Sequence, residues 1–346
     1  MSEAVLDIEE LVVEFGSGPT AVRAVDGVSL SIGRGEIFGL AGESGSGKST
    51  LMYAITRLLP PAGHVVSGRV VYRPRTGEPV DFLGLEGRAL QELRWASMAI
   101  VTQAAMNALN PVLDVEAQLT DVLRAHGVGE NRNARHERAA ELLSIVGITA
   151  DRLRSYPHQL SGGMRQRVMI AMSLALSPDV LILDEPTTAL DVVTQRQILE
   201  EILEIRERLD LSIVFVTHDL ALLFEIADRV AVMYAGELIE VGDAVGLRDA
   251  PLHPYSLALR ASFPTLTTAP DALSRLPGAP PDLRALPGGC PFHPRCDFRD
   301  VVCEARRPRL IAMGDDPEHE VACHLHDTSV MMTRPASVVA ANEARR

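Results

Sequence analysis

The chain has 346 residues, of which 47% are hydrophobic, and its formal net charge at pH 7 is −13. This length suits one large domain with an appendage, or two domains, and the hydrophobic share is ample for a packed core. Non-specific binding to nucleic acid needs a basic face, so the acidic balance argues against a nucleic-acid partner. The acidic N-terminus does not look like a signal peptide, and no stretch approaches the roughly 20 apolar residues that span a bilayer. The sequence therefore predicts a soluble, cytosolic chain that reaches a membrane only through partners.

Apolar runs predict a β-rich N-terminal part. The first two runs would form antiparallel strands joined by a turn around Gly16. A later run ends in a glycine-rich loop, and the helix predicted after it, over 49–59, stops at Pro60. The predicted strands are 5–15, 22–32, 36–41, 65–73 and 97–102.

The middle of the chain changes to a helical pattern. From about 104 to 178 apolar residues recur at helical spacing, as at Ala139, Leu142, Leu143 and Val146. Short strands then alternate with helices from 180 to about 241. This order predicts an α/β core that carries a helical insertion.

The composition changes again near residue 250. Residues 251–310 contain eleven of the 22 prolines. Proline removes a backbone donor and fixes φ, so we expect neither regular helices nor central strands here. The segment is predicted to be a small irregular module that needs a cross-link. Residues after about 327 have no clear pattern and are predicted to be a flexible tail.

A phosphate-binding motif follows the third predicted strand. Its sequence fits G-x-x-x-x-G-K-[ST] between a strand and a helix, which is the context that this motif requires. Glycines allow successive backbone N–H groups to point at phosphate oxygens, and the following helix adds its positive end. Lys48 would offer its charge to the β- and γ-phosphates, and Ser49 a hydroxyl to Mg²⁺. The predicted ATP-binding residues are Gly42, Glu43, Ser44, Gly45, Ser46, Gly47, Lys48, Ser49 and Thr50.

A second motif places two carboxylates at the end of a buried strand. Residues 180–185 read VLILDE. Asp184 is suited to hold Mg²⁺, and Glu185 to polarise an attacking water. An ordinary strand ending in an acidic turn would look similar, and the preceding P-loop favours the catalytic interpretation.

The sequence LSGGMRQR at 160–167 resembles the L-S-G-G-Q signature of ABC ATPases. The core of the signature, Ser161, Gly162 and Gly163, is intact, while Met164 stands where the family usually has glutamine. Two such domains in this family face each other head to tail. The resemblance therefore implies that this segment faces ATP bound to the P-loop of a second, related ATPase subunit.

Other family elements occur in the expected order. Gln103 matches the Q-loop glutamine, an ATP and Mg²⁺ contact, and Asp191 matches the D-loop. His218 matches the switch histidine, which the resemblance implies is catalytic together with Glu185. Phe15 would stack on adenine, although a core phenylalanine is a rival interpretation.

The resemblance implies an α/β fold with a defined organisation. The P-loop ABC ATPase core, with an antiparallel β subdomain and a helical subdomain at about 104–178, would occupy 1–250. A small irregular Cys/Pro-rich C-terminal module would occupy 251–326, followed by the tail at 327–346.

Further motifs resemble the dipeptide/oligopeptide importer subfamily. They are YPHQ before the signature, LNP after the Q-loop, HPY past the core and GCPFHPRC in the C-terminal module. The implied partners are two transmembrane permease subunits and an extracytoplasmic peptide-binding protein, which would hold this chain at the cytoplasmic face of the membrane. Relatives with this C-terminal module also serve importers of nickel and of sugar oligomers, so the solute stays open.

The chain has four cysteines, with the spacing C-x5-C-x6-C-x19-C. Structural zinc sites usually contain close C-x2–4-C pairs, which are missing here. Four loosely spaced thiolates suit an iron–sulfur cluster, and some ATPases of this subfamily carry a [4Fe–4S] cluster. Zinc and unligated thiols are the alternatives, and the nearby His293, His324 and His326 are more often surface residues. The predicted cluster ligands are Cys290, Cys296, Cys303 and Cys323.

Two functions of other classes are alternatives to transport. ATPases of chromosome maintenance insert a long coiled coil between P-loop and signature, whereas Lys48 and Ser161 are separated by a stretch without heptads. A cluster-dependent redox ATPase is the other alternative, and a spectrum recorded during turnover would distinguish it from an importer subunit.

Overall fold

The computed structural model describes residues 3–102, 108–188, 190–262, 276, 278–314 and 316–332. The described residues form two compact units. Unit 1 lies within Met1–Asp7, Ser31–Ile37 and Val70–Phe215, and unit 2 within Ile8–Leu30, Phe38–Arg69 and Val216–Arg346. Among these residues, none of the helices combines the length and the hydrophobicity that a membrane crossing needs.

Unit 2 contains a mixed sheet. β3 (Ile37–Ala41), which is buried along its whole length, pairs in parallel with β9 (Arg229–Tyr234). β10 (Glu237–Asp243) is antiparallel to both β9 and β12 (Asp316–Val321). β11 (Ile311–Met313) pairs with β12 in antiparallel orientation. The strand order within unit 2 is therefore β11-β12-β10-β9-β3.

The helices of unit 2 include the one that follows the glycine-rich loop. They are α1 (Lys48–Ile55), α7 (Leu220–Ile226), α8 (Ala244–Asp249), α9 (Pro254–Ala261) and α10 (Val301–Ala305). β1 (Ala4–Phe15) lies between β2 (Val22–Gly33) and β4 (Gly63–Tyr72), and most residues of each of these strands belong to unit 2. The predicted strands over 5–15 and 22–32 are confirmed.

Unit 1 contains a second group of strands and most of the helices. β7 (Val180–Asp184) is parallel to β6 (Met98–Val101), and β8 (Ser212–Thr217) lies on the other side of β7. β5 (Val80–Asp81) pairs with the end of β4. The helices are α2 (Gly87–Leu93), α3 (Val115–Ala125), α4 (Arg132–Ile145), α5 (Gly162–Ser173) and α6 (Val192–Leu209).

Local sequence explains where the helices of unit 1 begin. A side-chain oxygen at the N-cap accepts a hydrogen bond from a backbone N–H of the first turn, which satisfies a donor that has no partner within the helix. The N-cap residues of α3, α4, α5 and α6 are Asp114, Asn131, Ser161 and Asp191. The four apolar positions that predicted a helix near 139–146 are all buried.

The expectation that proline excludes regular structure from 251–310 is wrong. Helix α9 begins at Pro254, where the missing N–H removes no helical hydrogen bond, and the Nδ1 atom of His253 caps the helix. Helix α10 lies in a stretch without proline. The composition of the whole segment therefore concealed two short stretches that can form helices, one with proline only at its first position and one without proline.

Candidate functional site

The first candidate site begins where β3 ends. The chain leaves the sheet at Gly42, forms a loop over 42–47 and enters α1. Within the loop the Ser46 N–H donates to the Glu43 carbonyl at 3.2 Å, and the Ser46 carbonyl accepts from the Gly236 N–H at 2.9 Å. The strand–loop–helix arrangement that a P-loop requires is present.

Three glycines of the loop adopt positive φ angles. The φ values are 147° at Gly42, 82° at Gly45 and 106° at Gly47. A Cβ atom at Gly47 would lie 2.4 Å from the Ala24 carbonyl oxygen, and one at Gly42 would lie 2.3 Å from the Met233 carbonyl oxygen. Glycine is therefore required at Gly42 and Gly47 by both conformation and space, whereas Gly45 has open space around it.

Lys48, the first residue of α1, points back into the loop. Its side chain is buried, and Nζ donates to the carbonyl oxygens of Gly42 at 2.8 Å and Glu43 at 2.9 Å. A further contact joins Nζ to the Ser46 hydroxyl at 3.4 Å. The positive charge is thus held at the centre of a curled loop whose glycines leave room for an anion.

Glu43 is held by residues far along the chain. Its carboxylate accepts two hydrogen bonds from the Arg295 guanidinium, at 2.6 and 3.0 Å, and its backbone N–H donates to the Tyr255 hydroxyl oxygen at 2.8 Å. Arg295 also donates to the Tyr234 hydroxyl at 3.3 Å. The cysteine-containing segment therefore contacts the P-loop directly, a contact that the sequence did not predict.

Phe15 and His218 occupy exposed or half-buried positions of unit 2. Phe15 is the last residue of β1, and its ring packs so closely on Gly63 that a Cβ there would lie 2.9 Å from Cε1. His218 is exposed and directly follows β8, before Asp219, which caps α7. Gln103, the predicted Q-loop residue, lies outside the described residues.

The two acidic residues of the second motif lie at the end of β7 in unit 1. Asp184 is buried as the last residue of the strand. Glu185 is partly exposed and has φ = 49°, a conformation that non-glycine residues rarely adopt. The Thr188 hydroxyl donates to its Oε2 at 2.9 Å. Such local strain is a property of many functional sites.

The signature segment and the D-loop lie together in unit 1. The Ser161 hydroxyl accepts from the Met164 N–H at 3.2 Å at the exposed start of α5. Gly163 faces α6, and a Cβ there would lie 2.6 Å from Cγ2 of Thr194. Asp191 accepts hydrogen bonds from both the N–H and the hydroxyl of Thr194, and these bonds lower the pKa of its carboxyl.

All four cysteines line one small cavity. The cavity volume is about 20 Å³, and its lining includes the aromatic ring of Phe292 and the imidazole of His324. Burial raises the pKa of the Cys290 thiol to about 12 and that of Cys296 to about 11, and the charge of nearby cysteines acts in the same direction. Without a bound cation these thiols would therefore be neutral at pH 7.

The histidines next to this cavity differ from the sequence-based expectation. His324 and His326 were expected at the surface, but both are buried. They come a few residues after β12, where the chain stays packed within unit 2. Nε2 of His326 contacts the Leu252 carbonyl oxygen at 3.0 Å. Nδ1 of His324 is buried without a hydrogen-bond partner. Within the described ranges, no group of three or more His, Cys, Asp or Glu residues is arranged to hold a metal ion.

Two family models match the sequence. A model described as "ABC transporter" matches residues 25–188, and one described as "Oligopeptide/dipeptide transporter, C-terminal region" matches residues 239–303.

Curated relatives match almost the full length. The dipeptide transport ATP-binding protein DppD of Bacillus subtilis is 43% identical, with 94% of this chain and 96% of the relative covered. DppD of Escherichia coli is 41% identical, with 93% and 96% covered. The oligopeptide transport ATP-binding protein OppD of Bacillus subtilis is 40% identical, with 90% and 86% covered.

Solved structures are similar over the larger part of the chain. The ATP-binding cassette MJ0796, in a dimeric post-hydrolysis state bound to ADP and Pi, has a TM-score of 0.60 and 27% identity, with 69% of this chain and 98% of that chain covered. CbiO1 of Clostridium perfringens, part of the transporter complex cbiONQ, has a TM-score of 0.61 and 27% identity, with 75% and 95% covered.

Proposed function

The chain belongs to the ABC transporter family, and on this basis we propose that it is the ATP-hydrolysing subunit of an importer for dipeptides or oligopeptides. Its relatives named for dipeptide transport match over nearly their full length. The match to the oligopeptide/dipeptide C-terminal region supports peptides as the solute class. Importers of nickel or of sugar oligomers are the alternatives.

The P-loop is the proposed ATP-binding element of unit 2. The backbone N–H groups of the glycine-rich loop would bind the phosphates, and Lys48 would exchange its bonds to loop carbonyls for bonds to the β- and γ-phosphates. Phe15 would stack on adenine. Ser49, Gln103 and Asp184 supply hydroxyl, amide and carboxylate oxygens, the donors that Mg²⁺ prefers, and Mg²⁺ there would neutralise phosphate charge.

Glu185 is the proposed general base. Its carboxylate is held by the Thr188 hydroxyl and would accept a proton from the attacking water. His218 would hold the γ-phosphate and the water. The proposed signature residues, Ser161, Gly162, Gly163 and Met164, lie at the start of α5, where the exposed Ser161 is suited to contact phosphate bound by a second chain.

The proposed machine contains further subunits. They are a second, related ABC ATPase, two transmembrane permeases and an extracytoplasmic peptide-binding protein, with this chain at the cytoplasmic face of the membrane. Within the chain, we propose a nucleotide-binding domain at 1–250 with a helical subdomain at about 104–178, a C-terminal module at 251–326 and a tail at 327–346.

The observation that carries the proposal is the P-loop with buried Lys48 in a chain that matches a dipeptide-transport ATPase over 94% of its length. The test is reconstitution of the complete complex in vesicles, with uptake measured for dipeptides, nickel and a sugar oligomer. We expect ATP-dependent uptake of dipeptides, and none when this chain carries Glu185→Gln. Uptake of nickel alone, or of the sugar oligomer alone, would contradict peptides as the solute class and favour the corresponding alternative. ATP hydrolysis coupled to cluster oxidation, without uptake of any solute, would favour the redox ATPase.

The cysteine cavity is the proposed site of a [4Fe–4S] cluster, with zinc as the alternative. Its lining by four thiols fits the donor set of a cluster. Structural zinc sites usually contain close C-x2–4-C pairs, which this segment lacks, whereas loosely spaced cysteines suit a cluster. When bound, it would cross-link the segment covalently, and we propose no redox step.

Metal analysis tests this assignment. Protein purified without oxygen should contain about four irons per chain with matching acid-labile sulfide. Cys296→Ser should lower both and increase proteolysis within 278–314, whereas an exposed substitution such as Arg309→Gln should change neither. Zinc at one per chain without iron would replace the cluster, and finding no metal would remove the cross-link altogether.

A further inference from the structure

We propose that Arg295 is a positioning residue for ATP binding, because it neutralises and holds the Glu43 carboxylate inside the P-loop and makes ATP affinity depend on the intact cysteine site. This inference rests on the proposed ATP-binding function of the P-loop. It adds a coupling between two parts of unit 2 that are 252 positions apart in sequence.

A carboxylate is an unexpected side chain in a loop that binds phosphate. Glu43 is the second residue of the loop, and its own carbonyl oxygen accepts from Lys48 Nζ. A free negative charge at this position would repel the phosphates, and the repulsion would be strong because the surroundings are partly buried. Some cation must therefore compensate the Glu43 charge before an anion binds.

Arg295 provides this compensation with a bidentate pair. Two N–H groups of the guanidinium donate to the two carboxylate oxygens of Glu43, a geometry that fixes orientation as well as charge. The Arg295 side chain is only 7% exposed, compared with 25% for Glu43. The pair is thus well shielded from water and salt, unlike the surface ion pairs that contribute little.

Aromatic residues hold the guanidinium in place. Its central carbon lies 5.9 Å from the ring centroids of Tyr234 and Phe292. Tyr255 packs against both rings, and its hydroxyl oxygen accepts a hydrogen bond from the backbone N–H of Glu43. The P-loop residue is therefore fixed by contacts to its side chain and to its backbone.

The cysteine site determines where Arg295 lies. Arg295 ends a short 3-10 helix between Cys290 and Cys296, and the Cys290 N–H donates to the Cys303 carbonyl at 2.8 Å. Gly289 has φ = 64°, and a Cβ there would lie 2.3 Å from the Cys303 carbonyl oxygen. Loosening the cysteines would therefore displace Arg295 and expose the Glu43 charge to the nucleotide.

The test is a cycle of substitutions in the full-length chain, with the ATP dissociation constant measured by equilibrium dialysis in a Glu185→Gln background. Arg295→Gln should weaken ATP binding about tenfold, within the range typical of coupled sites. Glu43→Gln alone removes the charge but keeps the loop backbone, the part of residue 43 that belongs to the proposed phosphate site, so it should bind ATP at least as tightly as the parent. The double variant, Glu43→Gln with Arg295→Gln, should return to within about threefold of the parent, because no uncompensated charge remains.

If Glu43→Gln restores the ATP affinity of Arg295→Gln, Arg295 acts by compensating charge. If Arg295 had a merely structural role, its loss would disorder the cysteine segment, and Glu43→Gln would not restore ATP affinity. Cys296→Ser should also weaken ATP binding, and Glu43→Gln should again restore it. The control, Arg309→Gln, replaces an exposed arginine of the same segment and should leave the dissociation constant unchanged.

Unchanged ATP affinity in Arg295→Gln, or a double variant as weak as Arg295→Gln alone, would overturn the inference. If Arg295→Gln does not fold, Arg295→Lys tests the charge instead: lysine keeps it, so a loss of less than threefold is expected, and a tenfold loss would overturn the compensation argument. Equal affinity in Cys296→Ser and the parent would refute the dependence on the cysteine site. A parent chain that binds no ATP would instead refute the proposed function.

Discussion

Gly163→Ala should force the signature helix α5 away from helix α6. The added Cβ would lie 2.6 Å from Cγ2 of Thr194, a distance that real Cβ contacts essentially never show. Overpacking of this kind typically costs about 1–3 kcal/mol. Alanine recovers up to about 1 kcal/mol over glycine within a helix. Subtracting the full gain leaves about 0–2 kcal/mol. Because a contact of 2.6 Å is far below the normal range, we expect unit 1 to lose unfolding free energy in the upper half of this range, about 1–2 kcal/mol.

The matched rescue is Thr194→Ser. Serine lacks the Cγ2 methyl but keeps the hydroxyl that donates to Asp191 Oδ2 at 2.7 Å. The double variant should therefore recover the stability of Thr194→Ser alone. The single tryptophan, Trp95, is suited to the measurement because its Nε1–H donates to the Ser173 carbonyl at the end of α5. Urea unfolding followed by its fluorescence reports on unit 1.

Two results would refute this reasoning. One is an unchanged urea midpoint in Gly163→Ala, and the other is a loss that Thr194→Ser does not relieve. In the assembled complex, ATP hydrolysis should follow the same order, because Ser161 and Gly162 are displaced together with the helix.

Three further predictions concern single side chains. Glu185→Gln should reduce hydrolysis about 10²–10⁴-fold while ATP binding persists, because the general base is lost and the P-loop stays intact; near-normal turnover would contradict the assignment. Lys48→Ala should weaken ATP binding itself, which calorimetry can measure, and unchanged affinity would count against the phosphate contact. Burial raises the pKa of Glu237 from 4.5 to about 7 in spite of Arg307 at 3.0 Å. As pH rises from 4.5 to 7, the unfolded chain loses this proton and the folded chain retains it, so stability should fall by about 3 kcal/mol. Glu237→Gln should abolish this part of the pH dependence of urea unfolding, and an identical profile would show that Glu237 titrates normally.

Motifs made of consecutive residues were predictable from sequence. The run GESGSGKST requires a tight loop, and the structure shows a loop between a buried strand and α1. VLILDE similarly required a buried strand that ends in acidic residues, and β7 ends at Asp184. In both segments the residue types dictate the local backbone, so the α/β class of the ATPase core could be predicted and is confirmed by the matching ATP-binding cassettes, whereas the irregular C-terminal module stays a prediction.

Contacts between distant segments were not predictable. Nothing near Arg295 in the sequence indicates that Glu43 is its partner. Strands β11 and β12 were missed because β12 pairs with β10 across about 80 positions, β11 pairs with β12, and the residues of both strands alternate too little to be recognised. Burial of His324 follows from this pairing. Composition averaged over 251–310 could not resolve a helix that begins at a proline.

The antiparallel pairing of β10 with β12 has a consequence for synthesis of the chain. Glu240 of β10 pairs with Val321, the last residue of β12, which lies about 80 positions later in the chain. At elongation rates of roughly 5–20 residues per second, β10 leaves the ribosome about 4–16 s before its neighbour. During this interval β10 is an open sheet edge with free N–H and C=O groups, a template for pairing with other nascent chains. Truncation before residue 316 would make that exposure permanent, so such fragments should aggregate even though the P-loop is complete.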